Sequence, residues 1–197
     1  SLVRDCDITL PNGRRWPTNY RASLRDNGDV LLNYAIQDSL NTVPARLLQT
    51  LTPKNSFDFM TGTLGFSHMY KTYRTEDGRV LTDMDMAPLA LGALTEGVTV
   101  KEMCAGYQIF GNGGVYNEPW SYYSVTRGDE TLLEKKSKSL QAISADSAYI
   151  VNRLLQEVVT GSAGSGRDIR RYWTGWEIFA KTGTTSGTAN GDRDVYF

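Results

Sequence analysis

The sequence is poor in the residue types that build metal and redox centres. It contains two cysteines, Cys6 and Cys104, and one histidine, His68, among 197 residues. No Cys-x-x-Cys pair occurs, so the chain offers no ligand set for a structural zinc ion, and two distant cysteines do not by themselves support a disulfide. Any catalytic triad built on histidine would depend on His68 alone. We therefore expect neither a metal nor a cofactor.

The chain also lacks a charge excess and long apolar runs. Its formal net charge is −1, no basic run alternates with aromatic residues, and no stretch of 18 apolar residues occurs. These features give no reason to expect a nucleic-acid partner. A hydrophobic content of 40% in 197 residues is enough for one sizeable core.

The most informative segment is Lys181-Thr182-Gly183-Thr184-Thr185, which follows a strand-like apolar run at residues 176–180. A cation, hydroxyl groups and a glycine at the end of a strand suit the binding of an anionic group. Lysine supplies charge, the threonines supply hydrogen bonds, and a residue without a side chain lets a ligand come close. The segment predicts a site for a carboxylate or a similar anion.

Two other interpretations of this segment are a P-loop and a plain structural hairpin. Gly175, Ala180 and Lys181 are one residue short of a phosphate-binding P-loop, and alanine stands where its second glycine belongs. In a P-loop the four residues before that position form a loop and the lysine opens a helix. Here residues 176–179 favour a strand and residues 182–187 are a poor helix start. The P-loop is therefore disfavoured, while the hairpin stays open.

A second motif, Ser39-Leu40-Asn41, lies between helical patterns at residues 29–38 and 42–51. Pro44 falls in the first turn of the second pattern, where a missing N–H is harmless. Alone, the motif is explained as a helix cap. Combined with a downstream Lys-Thr-Gly, it is typical of penicillin-binding proteins and β-lactamases.

The chain thus resembles the transpeptidase domain of class A, bifunctional penicillin-binding proteins. The resemblance implies an α+β fold of the penicillin-binding type, here incomplete, with an antiparallel sheet edge and a helical subdomain. The matching segments are Trp16-Pro17-Thr18-Asn19-Tyr20, Ser39-Leu40-Asn41-Thr42-Val43-Pro44, Pro88-Leu89-Ala90-Leu91-Gly92 with Gly97-Val98-Thr99 and Asn112-Gly113-Gly114, Lys181-Thr182-Gly183-Thr184-Thr185, and Asp194-Val195-Tyr196-Phe197.

The largest departure from the family is the missing Ser-x-x-Lys motif that carries its nucleophile. The residues three positions before each lysine are Leu51, His68, Val98, Leu132, Leu133, Lys135 and Ile178. We therefore expect residues 1–197 to be one partial domain, truncated at both ends, which lacks the nucleophilic serine of its parent enzyme.

The resemblance implies serine acyl transfer on D-Ala-D-Ala stem peptides, with β-lactams as mimics. The parent would be anchored at the extracytoplasmic face of a bacterial membrane, with a glycosyltransferase domain upstream. The implied catalytic residues are Ser39, Asn41 and Lys181, and the implied substrate-binding residues are Thr182, Gly183, Thr184 and Thr185.

The alternative is a non-catalytic module that binds glycan or peptide. Four tryptophans and eleven tyrosines make it conceivable, because aromatic faces stack on sugars. A Ser-x-x-Lys motif upstream of Ser1 would favour the enzyme, and its absence there would favour the binding module.

Local signals predict several further elements. Thr99 and Glu102 form a capping box that opens a helix, and Ser144 caps another that ends at Gly161. Residues 161–166 indicate a flexible connection. Strands are expected around the turn Arg127-Gly128-Asp129. The predicted buried stripe of the first helix is Val100, Met103, Cys104, Tyr107 and Phe110.

Overall fold

The computed structural model describes residues 1–20, 26–136, 138–172 and 175–184, together with the backbone of residues 195 and 196. The helices are α1 (Leu32–Gln37), α2 (Thr42–Leu51), α3 (Pro53–Asp58) with a π-helical turn at Phe59–Thr63, α4 (Met86–Leu91), α5 (Val100–Gly111) and α6 (Ala145–Thr160), which precedes a 3₁₀ turn at Arg167–Tyr172. The strands are β1 (Leu2–Cys6), β2 (Ile8–Thr9), β3 (Arg15–Trp16), β4 (Asp26–Leu31), β5 (Tyr73–Arg74), β6 (Val80–Leu81), β7 (Val115–Asn117), β8 (Ser124–Arg127), β9 (Glu130–Glu134), β10 (Ser139–Gln141), β11 (Gly183–Thr184) and β12 (Val195–Tyr196).

Within the described residues, the strands form antiparallel pairs: β1 with β4, β2 with β3, β5 with β6, β7 with β10, β8 with β9 and β11 with β12. A pair of strands is marginally stable alone, and packing against a helix is one way to stabilise it. Helix α2 packs on β1, and α1 follows β4 directly and packs against α6. This arrangement agrees with the predicted α+β class.

Two apolar clusters hold the elements together. The larger one joins α3, α5 and β7 through residues such as Phe57, Phe66 and Ile109. The smaller one is formed by Ala35, Leu40 and Val43, with side chains of β1 and β4 against it. Because Leu40 is buried in this cluster, it anchors the Ser39-Leu40-Asn41 segment from its centre.

The helix predicted at residues 42–51 is confirmed, but the one at residues 29–38 is only partly correct. Asp26–Leu31 is strand β4, in which Val30 pairs with Val3 of β1, and the helix begins at Leu32. The partner strand lies more than twenty residues away in sequence, so pairing with it overrides the local helical pattern.

The capping box of Thr99 and Glu102 is confirmed, but the predicted buried stripe of α5 is wrong except at Phe110, which is half-buried against the larger core cluster. Cys104 is exposed, and Val100 exposes 75% of its surface. The buried positions are instead Glu102, Ala105, Gly106 and Ile109. Gly106 lets the Phe66 ring approach, because a Cβ there would lie 3.1 Å from Phe66 Cζ. Contacts with another segment, rather than hydrophobicity, decide which face is buried.

The hairpin and the last long helix follow the predictions. Strands β8 and β9 flank Gly128 and Asp129. Ser144 caps α6 by accepting a hydrogen bond from the Ser147 N–H, and Gly161 follows its last residue. Among the described residues, no helix combines the length and apolar character needed to cross a bilayer.

Candidate active site

Lys181 and Ser39 meet in the folded chain although 142 positions separate them in sequence. The Lys181 ammonium donates a hydrogen bond of 2.7 Å to Ser39 Oγ and another of 2.9 Å to the Thr182 carbonyl. Burial lowers the pKa of Lys181. A desolvated cation held on a hydroxyl can stabilise negative charge and can exchange a proton with a group bound beside it.

Ser39 occupies a strained position at the end of α1. Its φ is 53°, in the left-handed region that favours glycine. The Ser39 N–H donates to the Ile36 carbonyl (3.4 Å) and the Leu40 N–H donates to the Ala35 carbonyl (3.0 Å). These two bonds form a Schellman motif, in which glycine is usual at the Ser39 position. Backbone preference therefore does not explain the serine, whose hydroxyl contacts Lys181.

Asn41 is held by the segment around Asn19. The Asn41 Nδ2 group donates to the Thr18 carbonyl at 2.9 Å. The N–H groups of Asn41 and Thr42 both donate to Asn19 Oδ1, at 2.8 and 3.2 Å. Asn19 thus satisfies the start of α2, while Asn41 makes no side-chain capping bond. The interpretation of Ser39-Leu40-Asn41 as a simple helix cap does not describe this structure.

Asp5, which no sequence motif singles out, supports the same segment. Its side chain is nearly buried, with 3% exposed. It accepts hydrogen bonds from Asn19 Nδ2 (2.8 Å), Thr42 Oγ1 (2.5 Å) and Asn27 Nδ2 (2.7 Å). An acidic residue inside a strand is the only sequence signal that could have drawn attention to it, because its partners come from three separate segments.

The residues before Lys181 do not form the predicted strand. Among the described residues, 177–180 have no regular secondary structure and lie beside α6, after a bend at Trp176. The Ala180 N–H reaches the Leu155 carbonyl at 3.5 Å, and Glu177 Oε1 accepts a hydrogen bond from Gln156 at 3.1 Å. These hydrogen bonds join the segment to helix α6. A β-strand requires hydrogen bonds to a neighbouring strand.

The remaining predicted residues follow Lys181. Thr182 Oγ1 lies 2.6 Å from Ser165 Oγ. Gly183 and Thr184 form β11, which pairs with β12, and Thr184 is exposed. Thr185, also predicted to bind substrate, lies outside the described residues.

The structure distinguishes between the rival interpretations of the lysine segment. Lys181 is followed by strand β11 and not by a helix, which excludes a P-loop. A plain hairpin accounts for the pairing of Gly183 with Tyr196 and of Thr184 with Val195. It does not account for the contact between Lys181 and Ser39.

His68 does not form a catalytic triad with its neighbours. Ser67 Oγ and the Glu102 carboxylate both lie near Nδ1 of His68, at 3.1 and 3.2 Å. A triad needs the acid and the nucleophile at opposite ring nitrogens. Among the described residues, no group of histidine, cysteine, aspartate or glutamate side chains could hold a metal ion either.

Glu102 instead fixes the loop that contains Ser67 to the start of α5. Its carboxylate accepts hydrogen bonds from the N–H and hydroxyl groups of both Ser67 and Thr99, at 2.6 to 2.9 Å. Burial alone raises the pKa of Glu102, but these donors outweigh it and lower the pKa to about 2. The ionised form is therefore favoured in the folded chain.

This shift predicts acid sensitivity. The Glu102 pKa is below its unfolded value, so its contribution is complete above about pH 5 and is lost as the pH falls towards 2. A pKa lowered from 4.5 to about 2 corresponds to about 3 kcal/mol of unfolding free energy. We expect Glu102→Gln to remove most of this pH dependence in denaturant titrations between pH 6 and 3. The same change at Glu76, which is exposed, is the control; equal pH profiles for the two variants would contradict the prediction.

Comparison with known proteins places this geometry in a class. The pattern of the family described as "Penicillin binding protein transpeptidase domain" matches residues 5–196. The chain is 28% identical over 210 aligned residues to penicillin-binding protein 1A/1B of Bacillus subtilis. The alignment covers 99% of this chain and 20% of that protein. The chain spans about a fifth to a quarter of the first curated relatives it matches.

Solved structures show the same fold. Penicillin-binding protein 1A from Haemophilus influenzae superimposes with a TM-score of 0.70 at 20% identity, over 95% of this chain and 31% of that chain. A ceftriaxone acyl-enzyme complex of penicillin-binding protein A from M. tuberculosis gives a TM-score of 0.65 at 18% identity, over 97% of this chain and 44% of that chain.

The fold is thus that of serine transpeptidase domains, the class in which paired Ser-x-Asn and Lys-Thr-Gly motifs occur. The chain belongs to the penicillin-binding protein transpeptidase domain family, whose function is peptidoglycan cross-linking.

Proposed function

We propose that this chain forms two walls of a D,D-transpeptidase site, one at Ser39–Asn41 and the other at Lys181–Thr184. The observation that carries the proposal is the 2.7 Å hydrogen bond from Lys181 Nζ to Ser39 Oγ. It joins the two motifs that the family resemblance assigns to one site. The strained backbone of Ser39 supports a functional reason for its hydroxyl.

The proposed reaction is acyl transfer. A nucleophilic serine attacks the carbonyl between the last two D-alanines of a stem peptide, and the terminal D-alanine leaves as its amine takes up a proton. An amine of a neighbouring stem then attacks the acyl-enzyme ester. The new amide is the cross-link, the bond between the carbonyl carbon and the serine oxygen breaks, and the proton lost by the amine returns to that oxygen. In this scheme Ser39 relays the proton to the leaving nitrogen, Asn41 binds the amide of the donor, and Lys181 provides positive charge.

The segment after Lys181 is proposed to hold the donor carboxylate. Thr182 and Thr184 supply hydroxyl donors, and Gly183 leaves room for the substrate backbone. Thr185 extends this segment in the proposal. The Thr184 N–H is one oxyanion donor, and removal of such a donor typically costs about 10²–10³ in rate. β-Lactams would enter the same site as mimics of the donor.

The nucleophile is proposed to come from a longer protein that contains these residues. No lysine of the chain has a serine three residues before it. The much greater length of the relatives supports a larger parent, which we propose is anchored at the extracytoplasmic face of a bacterial membrane and also carries a glycosyltransferase domain. A parent without Ser-x-x-Lys would instead favour the binding-only module.

This proposal predicts how the 197-residue chain behaves with penicillin. We expect no covalent adduct in intact-mass spectra after incubation with a β-lactam, because the acylated serine is absent. A full-length penicillin-binding protein treated in parallel shows that the reagent is active. A stoichiometric adduct on any residue of this chain would refute the placement of the nucleophile.

A further inference from the structure

Gln37 is a buried polar residue that the proposed reaction does not use. It is the last residue of α1, two positions before Ser39, and only 7% of its surface is exposed. Its Nε2 group donates to Glu157 Oε2 on α6 at 2.9 Å, and its Oε1 accepts from the Ala163 N–H at 3.4 Å. Its carbonyl accepts from the Ser165 N–H at 3.2 Å. Both ends of the amide are therefore engaged.

Two partners of Gln37, the N–H groups of Ala163 and Ser165, lie in residues 161–166, here called the glycine turn. The sequence pattern predicts a flexible connection here, but the turn is tightly packed. A Cβ at Gly161 would lie 2.2 Å from Gln37 Cδ, and a Cβ at Gly164 would lie 2.3 Å from the Val158 carbonyl oxygen. The Gly166 N–H donates to that same carbonyl at 3.0 Å. Only glycine fits at these two positions, where the turn touches Gln37 and the end of α6.

The glycine turn also reaches the lysine segment. Ser165 Oγ lies 2.6 Å from Thr182 Oγ1, and Thr182 is the neighbour of Lys181. A closed path of contacts therefore runs from Ser39 to Gln37, through the turn to Thr182, and back from Lys181 to Ser39. Such a path limits how far the two walls can move apart.

We infer that Gln37 is a positioning residue, which sets the separation of Ser39 and Lys181 by holding the glycine turn between α1 and Thr182. The inference rests on the proposed function only for its catalytic consequence. Displacing the amide would leave buried polar groups without partners, which opposes movement. Misplacement of a reacting group by about 1 Å can cost about 10²-fold in rate.

The test is a pH titration of the Lys181 side-chain nitrogen by NMR in the complete chain. Gln37→Ala should raise the pKa of Lys181 towards that of an ordinary lysine, because water enters as the walls separate. Gln37→Glu alone should also disturb the site, because it sets two carboxylates against each other at Glu157. An unchanged Lys181 titration in Gln37→Ala would overturn the inference.

Exchanging the side chains at positions 37 and 157 provides a rescue experiment. The double variant with Gln37→Glu and Glu157→Gln again pairs one amide with one carboxylate. The negative charge moves from position 157 to position 37, which is only the length of one hydrogen bond. The carboxylate at position 37 can still accept the Ala163 N–H. We expect this variant to recover the original Lys181 titration. Recovery in the double variant supports a positioning role for Gln37. If the double variant and the single Gln37→Glu variant give the same Lys181 titration, the result counts against that role.

Two controls separate positioning from general destabilisation. Phe57→Leu weakens the larger core cluster. It should lower the melting temperature about as much as Gln37→Ala does, but leave the Lys181 titration unchanged. Gly161→Ala should shift the titration, whereas Gly111→Ala, where a Cβ meets nothing within 4 Å, should not. Equal shifts in Phe57→Leu would make Gln37 merely structural. Because this readout needs no turnover, failure of acylation in the full-length parent would contradict the proposed function alone.

Discussion

Replacing Lys181 by alanine in the full-length transpeptidase should slow acylation by a β-lactam at least about tenfold, with little change in melting temperature. Charge-assisted hydrogen bonds are about twice as strong as neutral ones. Without Lys181, the carboxylate of the bound β-lactam lacks its charged partner in a partly dry cleft, which costs about 1–3 kcal/mol or more. A barrier increase of about 1.4 kcal/mol slows a reaction about tenfold. Thr182 and Thr184 remain as neutral donors in this variant.

The structure explains why stability should change little. Among the described residues, Lys181 donates hydrogen bonds to Ser39 and to the Thr182 carbonyl, which favour folding. Burial of its ammonium lowers the pKa of Lys181, so the charged form is held at a cost. Alanine removes both the bonds and the cost, and the two effects oppose each other.

Stopped-flow acylation with a chromogenic β-lactam, run beside a thermal melt, measures both quantities. Lys181→Met is the matched control, because it keeps an unbranched stem of similar length and removes only the charge. Equal slowing in the two variants identifies the charge as the cause. A wild-type acylation rate in Lys181→Met would assign the effect of alanine to packing, and a collapsed melting temperature in both would make Lys181 structural.

Elements with strong local signals could be predicted from the sequence. The capping box at Thr99 and the cap at Ser144 each predict a helix within a few residues, and both helices form. Strand β4 could not be predicted, because the pairing that favours it comes from β1. The buried face of α5 was missed for the same reason: Glu102 is drawn inward by donors on the Ser67 loop.

The candidate site divides in the same way. Ser39 and Lys181 belong to short motifs, and the family resemblance of these motifs predicts that the two residues share one site. Asp5 and Gln37 belong to no motif. The partners of these two side chains lie 14 to 126 positions away, and only the folded chain brings them together.

The hydroxyl and the backbone of Ser39 make separable contributions that two substitutions can distinguish. We expect Ser39→Ala and Ser39→Gly each to slow acylation about 100-fold or more in the full-length enzyme, since both remove the proposed proton relay. We also expect the glycine variant to be the more stable of the two by about 1 kcal/mol. Glycine adopts the left-handed position of the Schellman motif without the steric cost that any Cβ brings.

Gly92 supplies the internal standard for this comparison. It ends α4 in the left-handed region, with a φ of 75°, and a Cβ there meets nothing within 4 Å. Gly92→Ala should therefore lower the unfolding free energy by about 1 kcal/mol through backbone strain alone, with acylation unchanged. Equal stabilities of the two Ser39 variants would deny that the backbone is strained. A near-normal acylation rate in either variant would remove Ser39 from the reaction. If both expectations hold, the chain carries a serine where glycine would be more stable because the hydroxyl is needed beside Lys181.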